Sequence, residues 1–376
     1  MTSNDVNGGL NKNSSVSVKS ILKSAWAEFV EVNEVLDYQL KEVEKALSCY
    51  DSKQGCYVYW CASCKEFVTL SLGCNSRLCS CCGKRYADQW AHSLSKSMFD
   101  VPHRHFVLSV PDALWNYLRD WTWLKEYMDC AIKCFNEFFS HVLRQEIKVG
   151  VIVVLHPFGK DMAFKPHLHL ILTEGGFNKR KEFVKCDFVL AEKFRKKWQF
   201  EVLKLFQKLG LPNHVASELY RKYPNGFYVW LHKRGRIKNP KEISRYLGRY
   251  VRHPAIANSR IDEFDGEFVK FHYVNNEDNK INVTMHVFDF IKALIQHIPP
   301  LQFKMIRYYG AYARCVKTKF GAKVHSSIKQ LNLYHFGLEK TKCCPFCKNE
   351  LQFVIYLSKP PPETKKIQQE LTALIK

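Results

Sequence analysis

Pro166-His167-Leu168-His169-Leu170-Ile171-Leu172 is the stretch whose reading decides the fold. In a strand, residues two apart share a face. His167 and His169 therefore present two imidazoles together, while Leu168 turns the other way into a core. Gly175-Gly176 closes the strand after Thr173. Upstream, Lys148–His156 is apolar enough to be a buried strand, and Phe158–Pro166 is short enough for a hairpin connection. Across that hairpin His156 becomes a candidate third ligand. Such a set suits a divalent metal with coordination positions left open. Two histidines on a solvated sheet face are the plainer reading.

Working outward, Ile21–Leu47 carries a helical apolar period, and a second helix is expected from about Lys84 to Phe99. His105–Val110 reads as a short strand ended by Pro111. Leu114–Leu143 is aromatic-rich and helical, and residues 188–209 form a basic amphipathic helix. Gly226–His232 reads as a strand. Asn239-Pro240-Lys241-Glu242 is a helix start, and the helix should stop before Pro254. Asp265-Gly266 marks a hairpin, and Phe288–Ile298 a helix ended by Pro299-Pro300. The expected division is a tail over 1–20, a helix and cysteine-rich module over 21–92, a central domain over 93–298, and a basic region over 299–376.

Tyr246 and Tyr250 lie at i and i+4 of the helix from Asn239, so both phenols project from one face. Arg245, Arg249 and Arg252 flank them. Nearby cations favour the phenolate, and a metal can polarise the phosphate it attacks. Ordinary helix packing accounts for the same spacing.

Eight of the fifteen cysteines fall within residues 49–82. Cys61-Ala-Ser-Cys64 and Cys79-Ser-Cys81-Cys82 are two C-x-x-C pairs, and two such knuckles make a tetrahedral S₄ zinc site. Cys49, Cys56 and Cys74 either complete a second zinc site or are core residues. Cys344-Pro-Phe-Cys347 is half a knuckle whose partners are not evident from the sequence. With no secretory signal visible, thiols and metal in a reducing, cytoplasmic compartment are expected in place of disulfides.

The chain has 376 residues and a formal net charge of +21, which points to a polyanionic partner, nucleic acid first. The charge is concentrated. His232–Arg252 holds eight Lys/Arg and one acid, and Leu301–Lys323 holds six Lys/Arg and no acid. In the second run Lys304 and Arg307 sit beside Tyr308 and Tyr309, and aromatic stacking with cations suits single strands. Apolar runs are too short to span a bilayer, and no phosphate-binding loop appears, so neither a membrane nor a nucleotide cofactor is expected.

Taken together, these residues resemble the rolling-circle transposases of the insertion-sequence-91 type. These belong to the HUH, two-tyrosine nuclease superfamily, with Helitron and replication-initiator relatives. The resemblance is carried by several segments in order. Asn75-Ser76-Arg77-Leu78-Cys79-Ser80-Cys81-Cys82 closes the cysteine module. His105-Phe106-Val107-Leu108-Ser109-Val110-Pro111 is similar to the first strand of the nuclease domain. Leu155-His156, with Pro166–His169 and Thr173-Glu174-Gly175-Gly176, is similar to the metal strands. Tyr246-Leu247-Gly248-Arg249-Tyr250-Val251-Arg252, followed by Ile256–Ile261, is similar to the nucleophile segment. Arg307-Tyr308-Tyr309-Gly310 follows it. Where the family often carries Gly-His, Gly55-Cys56 stands here.

The resemblance implies an α+β fold. An antiparallel-sheet HUH nuclease domain has flanking helices, an N-terminal zinc-binding module and a basic C-terminal region. It implies transesterification: Tyr250, then Tyr246, would act on single-stranded DNA through a 5′-phosphotyrosine at hairpin-bearing transposon ends. His156, His167 and His169 would hold Mg²⁺ or Mn²⁺, and Cys61, Cys64, Cys79 and Cys82 would hold structural Zn²⁺. Arg245, Arg249, Arg252, Arg260, Lys304, Arg307, Tyr308 and Tyr309 would bind DNA in a nucleoid-associated protein of a prokaryote. A plasmid relaxase or replication initiator, and a non-enzymatic zinc-ribbon DNA-binding protein, remain as alternatives.

Overall fold

The computed structural model describes residues 16–51, 55–186, 191–231, 255–275, 277–313 and 343–357. At its centre lies a five-stranded sheet, built from β3 (His103–Ser109), β4 (Gly150–Phe158), β5 (Phe164–Thr173), β8 (Val229–Leu231) and β12 (Ile306–Gly310). The order is β12-β4-β5-β3-β8, and every neighbouring pair is antiparallel. β4 and β5 form the expected hairpin, with Gly159 N–H donating to the Ala163 carbonyl at 2.8 Å in the turn. Both strands are buried along most of their length, which is why they read as nearly continuous apolar runs. The chain is thus α+β with antiparallel sheets.

One face of this sheet is covered by α4 (Trp121–Leu143), α5 (Ala191–Lys208) and α6 (Asn213–Lys222). Phe106, Val153, Leu168 and Leu170 from the strands meet Phe135 and Phe139 of α4 and Phe194 and Trp198 of α5 in the main core. Among the described residues, the opposite face is packed by a smaller cluster. There α3 (Ser80–Ser97) and the residues after it place Leu94, Met98 and Phe99 on Ile152, Val154 and Ile171.

A third core joins the N-terminal helices to residues 255–298. α1 (Val18–Val32) and α2 (Asp37–Leu47) pack with the meander β9 (Ile261–Phe264), β10 (Phe268–Val274) and β11 (Lys280–His286), and with α7 (Val287–Ile295). A small sheet of β1 (Cys56–Cys61), β2 (Glu66–Ser71) and β13 (Gln352–Leu357) stands beside it in the order β13-β1-β2. The hairpin β6 (Gly175–Phe177) with β7 (Phe183–Lys185) completes the strands.

Three local readings change. The helix expected over Ile21–Leu47 is two helices, because Asn33 turns extended and the second helix is capped afresh, Leu36 N–H donating to the Gln39 side-chain oxygen at 3.2 Å. Leu114–Leu143 likewise divides into a 3-10 turn (Asp112–Leu118) and α4, restarted by Asp120, whose carboxylate accepts from Thr122 N–H at 2.8 Å. Chain order and packing also diverge. α1 and α2 share a core with residues 256–298, β12 belongs to the central sheet, and β13 pairs with β1. The helix expected from Asn239 lies outside the described residues.

Candidate active site

His156 on β4 and His167 on β5 are direct cross-strand partners, and His169 follows on the same face. The strand alternation that hides Leu168 and Leu170 in the main core therefore aims three imidazoles at one point. Their ring centroids are 4.7–5.3 Å apart, and one nitrogen from each ring lies within 4.8 Å of the others. The Lys165 carbonyl accepts from His167 Nδ1 at 2.7 Å, which fixes the proton on Nδ1 and turns the Nε2 lone pair outward. Burial holds His167 below its ordinary pKa. His169 lies well below, through burial first and then the neighbouring His156, His167 and His105. Neutral imidazoles are the ligating form. The donor set fits a divalent cation.

The sequence reading missed His105. It stands on β3 beside β5, with Nε2 3.1 Å from His169 Nδ1 and the two rings nearly parallel, and the Trp230 ring meets it edge-on. The signal was available: His103-Arg104-His105 has the same i, i+2 spacing as His167 and His169. The two differ in what they meet. His103 pairs with the Tyr312 hydroxyl at 2.6 Å, away from the triad.

The cysteines are partitioned differently from the expectation. Cys79 and Cys82 do not meet Cys61 and Cys64. They meet Cys49 and Cys74, with Cys49 Sγ 3.5 Å from Cys79 Sγ and 3.6 Å from Cys82 Sγ. Proximity in sequence suggested the wrong pairing, because β1 and β2 carry the first knuckle away from the start of α3. Cys79 is the N-cap residue of α3 and Cys82 lies in its first turn, where hydrogen bonds from the neighbouring Cys49 and Cys74 thiols favour their thiolates and Arg85 comes within 3.7 Å of Cys82 Sγ. Gly73 is packed so closely that a Cβ there would sit 2.9 Å from Cys82 Sγ. Cys61 and Cys64 instead meet Cys344 and Cys347. Cys56 joins neither set. It is buried in β1 opposite Ser71, and that burial raises its thiol pKa.

Of the residues expected to touch DNA, Lys304 is exposed. Tyr308 is 41% exposed and its hydroxyl accepts from Trp90 Nε1 at 3.0 Å. Tyr309, the next residue of the strand, faces the opposite way from Tyr308. Its hydroxyl donates to Asp129 at 2.7 Å on the helical side of the sheet, and Arg307 shares that side. The Arg260 guanidinium donates to the backbone carbonyls of His272 at 2.8 Å and Lys160 at 2.5 Å. Tyr246, Tyr250, Arg245, Arg249 and Arg252 lie outside the described residues. No described helix is long and apolar enough to cross a membrane.

Comparison with known proteins bears on both halves of this geometry. Residues 150–319 match the family Y2_Tnp, described as "Putative transposase". Residues 21–110 match Zn_Tnp_IS91, described as "Transposase zinc-binding domain". The chain is 28% identical over 321 residues to "Transposase for insertion sequence element IS801" of Pseudomonas savastanoi pv. phaseolicola, covering 81% of this chain and 77% of that protein. It is 23% identical over 283 residues to "Putative transposase y4qJ" of Sinorhizobium fredii, covering 70% and 71%. No solved structure matches the chain.

Proposed function

The chain belongs to the transposases of the insertion-sequence-91 type, with a structural zinc-binding domain, and from that premise we propose that it cuts and rejoins single-stranded DNA at hairpin-bearing transposon ends, acting at the nucleoid of a prokaryote. The observation that carries this reading is the convergence of His156, His167 and His169 on one face of the sheet. These three residues would hold Mg²⁺ or Mn²⁺, which when bound polarises the phosphate.

The phenol oxygen of Tyr250 attacks phosphorus. The new P–O bond makes a 5′-phosphotyrosine, the P–O3′ bond breaks, and the phenol proton is made up on the released 3′-oxygen. The phosphodiester energy is kept in the adduct, so rejoining needs no nucleotide. Tyr246, one helical turn away in the helix read from the sequence, serves strand transfer. Arg245, Arg249 and Arg252 hold the phosphates beside the nucleophile. The described side chains have separate tasks. The Lys165 carbonyl and His105 orient the imidazoles, and the basic surface holds the strand. Cys49, Cys74, Cys79 and Cys82 hold structural zinc.

Incubation with a labelled single-stranded element end and Mn²⁺ tests this. A covalent adduct is expected on Tyr250, absent in Tyr250→Phe and retained in Tyr246→Phe, with His167→Ala binding DNA but not cutting it. An adduct mapped to Tyr246 alone would reverse the assignment of the nucleophile. Full cleavage by the His167→Ala, His169→Ala double variant would place the chemistry elsewhere.

A further inference from the structure

Cys61 and Cys64 lie on the N-terminal hairpin, and Cys344 and Cys347 lie 280 or more positions later in the chain. Their sulfurs nevertheless converge within 4.8 Å of one another, at 3.5 Å for Cys61 to Cys347 and 3.8 Å for Cys64 to Cys344. These spacings are far too long for a disulfide, whose sulfurs lie about 2.05 Å apart. They agree with the edge of a sulfur tetrahedron around zinc, about 3.8 Å for Zn–S bonds of about 2.3 Å.

The backbone is built the same way on both sides. Each knuckle reads C-x-x-C-Lys, and each lysine takes a left-handed conformation, Lys65 at φ 52° and Lys348 at φ 63°. Each is closed by antiparallel pairing at its base: Cys61 pairs with Glu66, and at the matching position Cys344 N–H donates to the Asn349 carbonyl at 2.7 Å, with Cys343 pairing with Glu350 just outside. Cys64 N–H points at Cys61 Sγ at 3.5 Å, and Lys348 N–H donates to the Cys344 carbonyl at 3.0 Å. Asn349 Nδ2 donates to Ser63 Oγ at 2.7 Å, tying one knuckle to the other. β13 then pairs with β1 from Trp60–Gln352 to Cys56–Leu357.

The apolar core of this small sheet cannot hold it. Its buried members are Tyr59, Cys61, Val68, Cys344 and Leu351, and two of the five are the cysteines themselves. A sheet with so little buried area needs another source of stability, which zinc ribbons obtain from their metal.

We infer that Cys61, Cys64, Cys344 and Cys347 form a second structural zinc site, a ribbon assembled from both ends of the chain that clasps the C-terminal segment to the N-terminal module. It is separate from the site of Cys49, Cys74, Cys79 and Cys82, and half of its ligands lie outside the zinc-binding domain matched over residues 21–110. The clasp does not depend on the DNA chemistry proposed above. The metal is the closure of the sheet: among the described residues β13 is otherwise held by its ladder to β1 and by the contacts of Phe353 and Tyr356 with Tyr57 and Tyr59.

The test uses the full-length protein purified under reducing conditions without added metal. Elemental analysis should find two zinc ions per chain. Graded chelation with a thiol-alkylating reagent, read by peptide mass spectrometry, should expose the thiols in two groups. Cys61, Cys64, Cys344 and Cys347 should react together, and Cys49, Cys74, Cys79 and Cys82 together. The Cys344→Ser, Cys347→Ser double variant should lose one zinc, with Cys61 and Cys64 becoming reactive while Cys79 and Cys82 stay protected. One zinc in the unaltered protein, or Cys61 and Cys64 reacting in step with Cys79 and Cys82, would overturn the clasp. So would a double variant that keeps two ions. The grouping in the unaltered protein decides the matter even if that variant fails to fold.

Discussion

At the scale of single residues, His105 separates positioning from ligation. It touches His169 through Nδ1, the nitrogen on the side away from a ligating Nε2, and so sets that ring's tautomer and angle. His105→Ala should weaken Mn²⁺ binding by about tenfold to a hundredfold, the usual consequence of removing such a partner. Affinity for single-stranded DNA should change little. Calorimetric titration with Mn²⁺ measures it; unchanged affinity would reduce His105 to a packing residue. Arg260 makes the opposite case. Its two bonds to the Lys160 and His272 carbonyls join the turn of the β4–β5 hairpin to the β9–β10–β11 meander. Arg260→Ala should cost about 2 kcal/mol of stability, the scale of hydrogen bonds from a charged donor. The salt dependence of DNA binding should be preserved. A shallower salt slope at unchanged stability would return Arg260 to the DNA surface.

At the scale of elements, the end of β5 is fixed by backbone alone. Gly175 adopts φ 133°, and a Cβ there would fall 2.1 Å from the Val184 carbonyl oxygen across the β6–β7 hairpin. No side chain can yield, because the obstacle is main chain. Gly175→Ala should therefore destabilise the protein by roughly 3 kcal/mol or more, read as a lower urea midpoint at unchanged slope. The β4–β5 hairpin and its histidine face were legible in the sequence because every element of them is local: a two-residue period, a short connection, and a glycine pair at the end. The cysteine sites were not. Cys61 and Cys79 are close in sequence and Cys61 and Cys347 are distant, yet the distant pair is the one in contact. Only the pairing of β13 with β1 decides this, and nothing in the spacing of Cys344 and Cys347 encodes it. The settings of Tyr309 and Arg260 were not legible for a related reason, since composition shows that a cation or ring is present but not which way the chain turns it.

At the scale of the whole molecule, buried histidines sit at the joints between cores. His103 pairs with the Tyr312 hydroxyl, and Tyr312 packs on Phe99, so this contact joins the central sheet to the end of α3. His297 stacks on Phe158 at 4.0 Å and donates from Nδ1 to the Ala293 carbonyl at 2.8 Å, joining the same sheet to the α1–α7 core. Burial pushes both pKa values down to about 4, and Arg77 adds to the effect at His297. An unfolded histidine titrates near 6.5. Between about pH 6.5 and 4 the unfolded chain takes up protons that the folded chain refuses, so acid favours unfolding over that window. The stability these groups contribute is complete above about pH 6.5 and declines as pH falls toward 4. Each shift corresponds to an effect on the order of 3 kcal/mol. The carboxyl group of Asp265, held low by the backbone N–H groups of Phe268 and Glu267, loses its contribution only at more acid pH. Urea midpoints measured from pH 7.5 to 4 should thus fall steeply in the histidine range, before the carboxylates titrate. His103→Gln and His297→Gln should each flatten that fall. Midpoints constant from pH 6.5 to 5, or variants as acid-sensitive as the parent, would show that these joints do not govern acid stability.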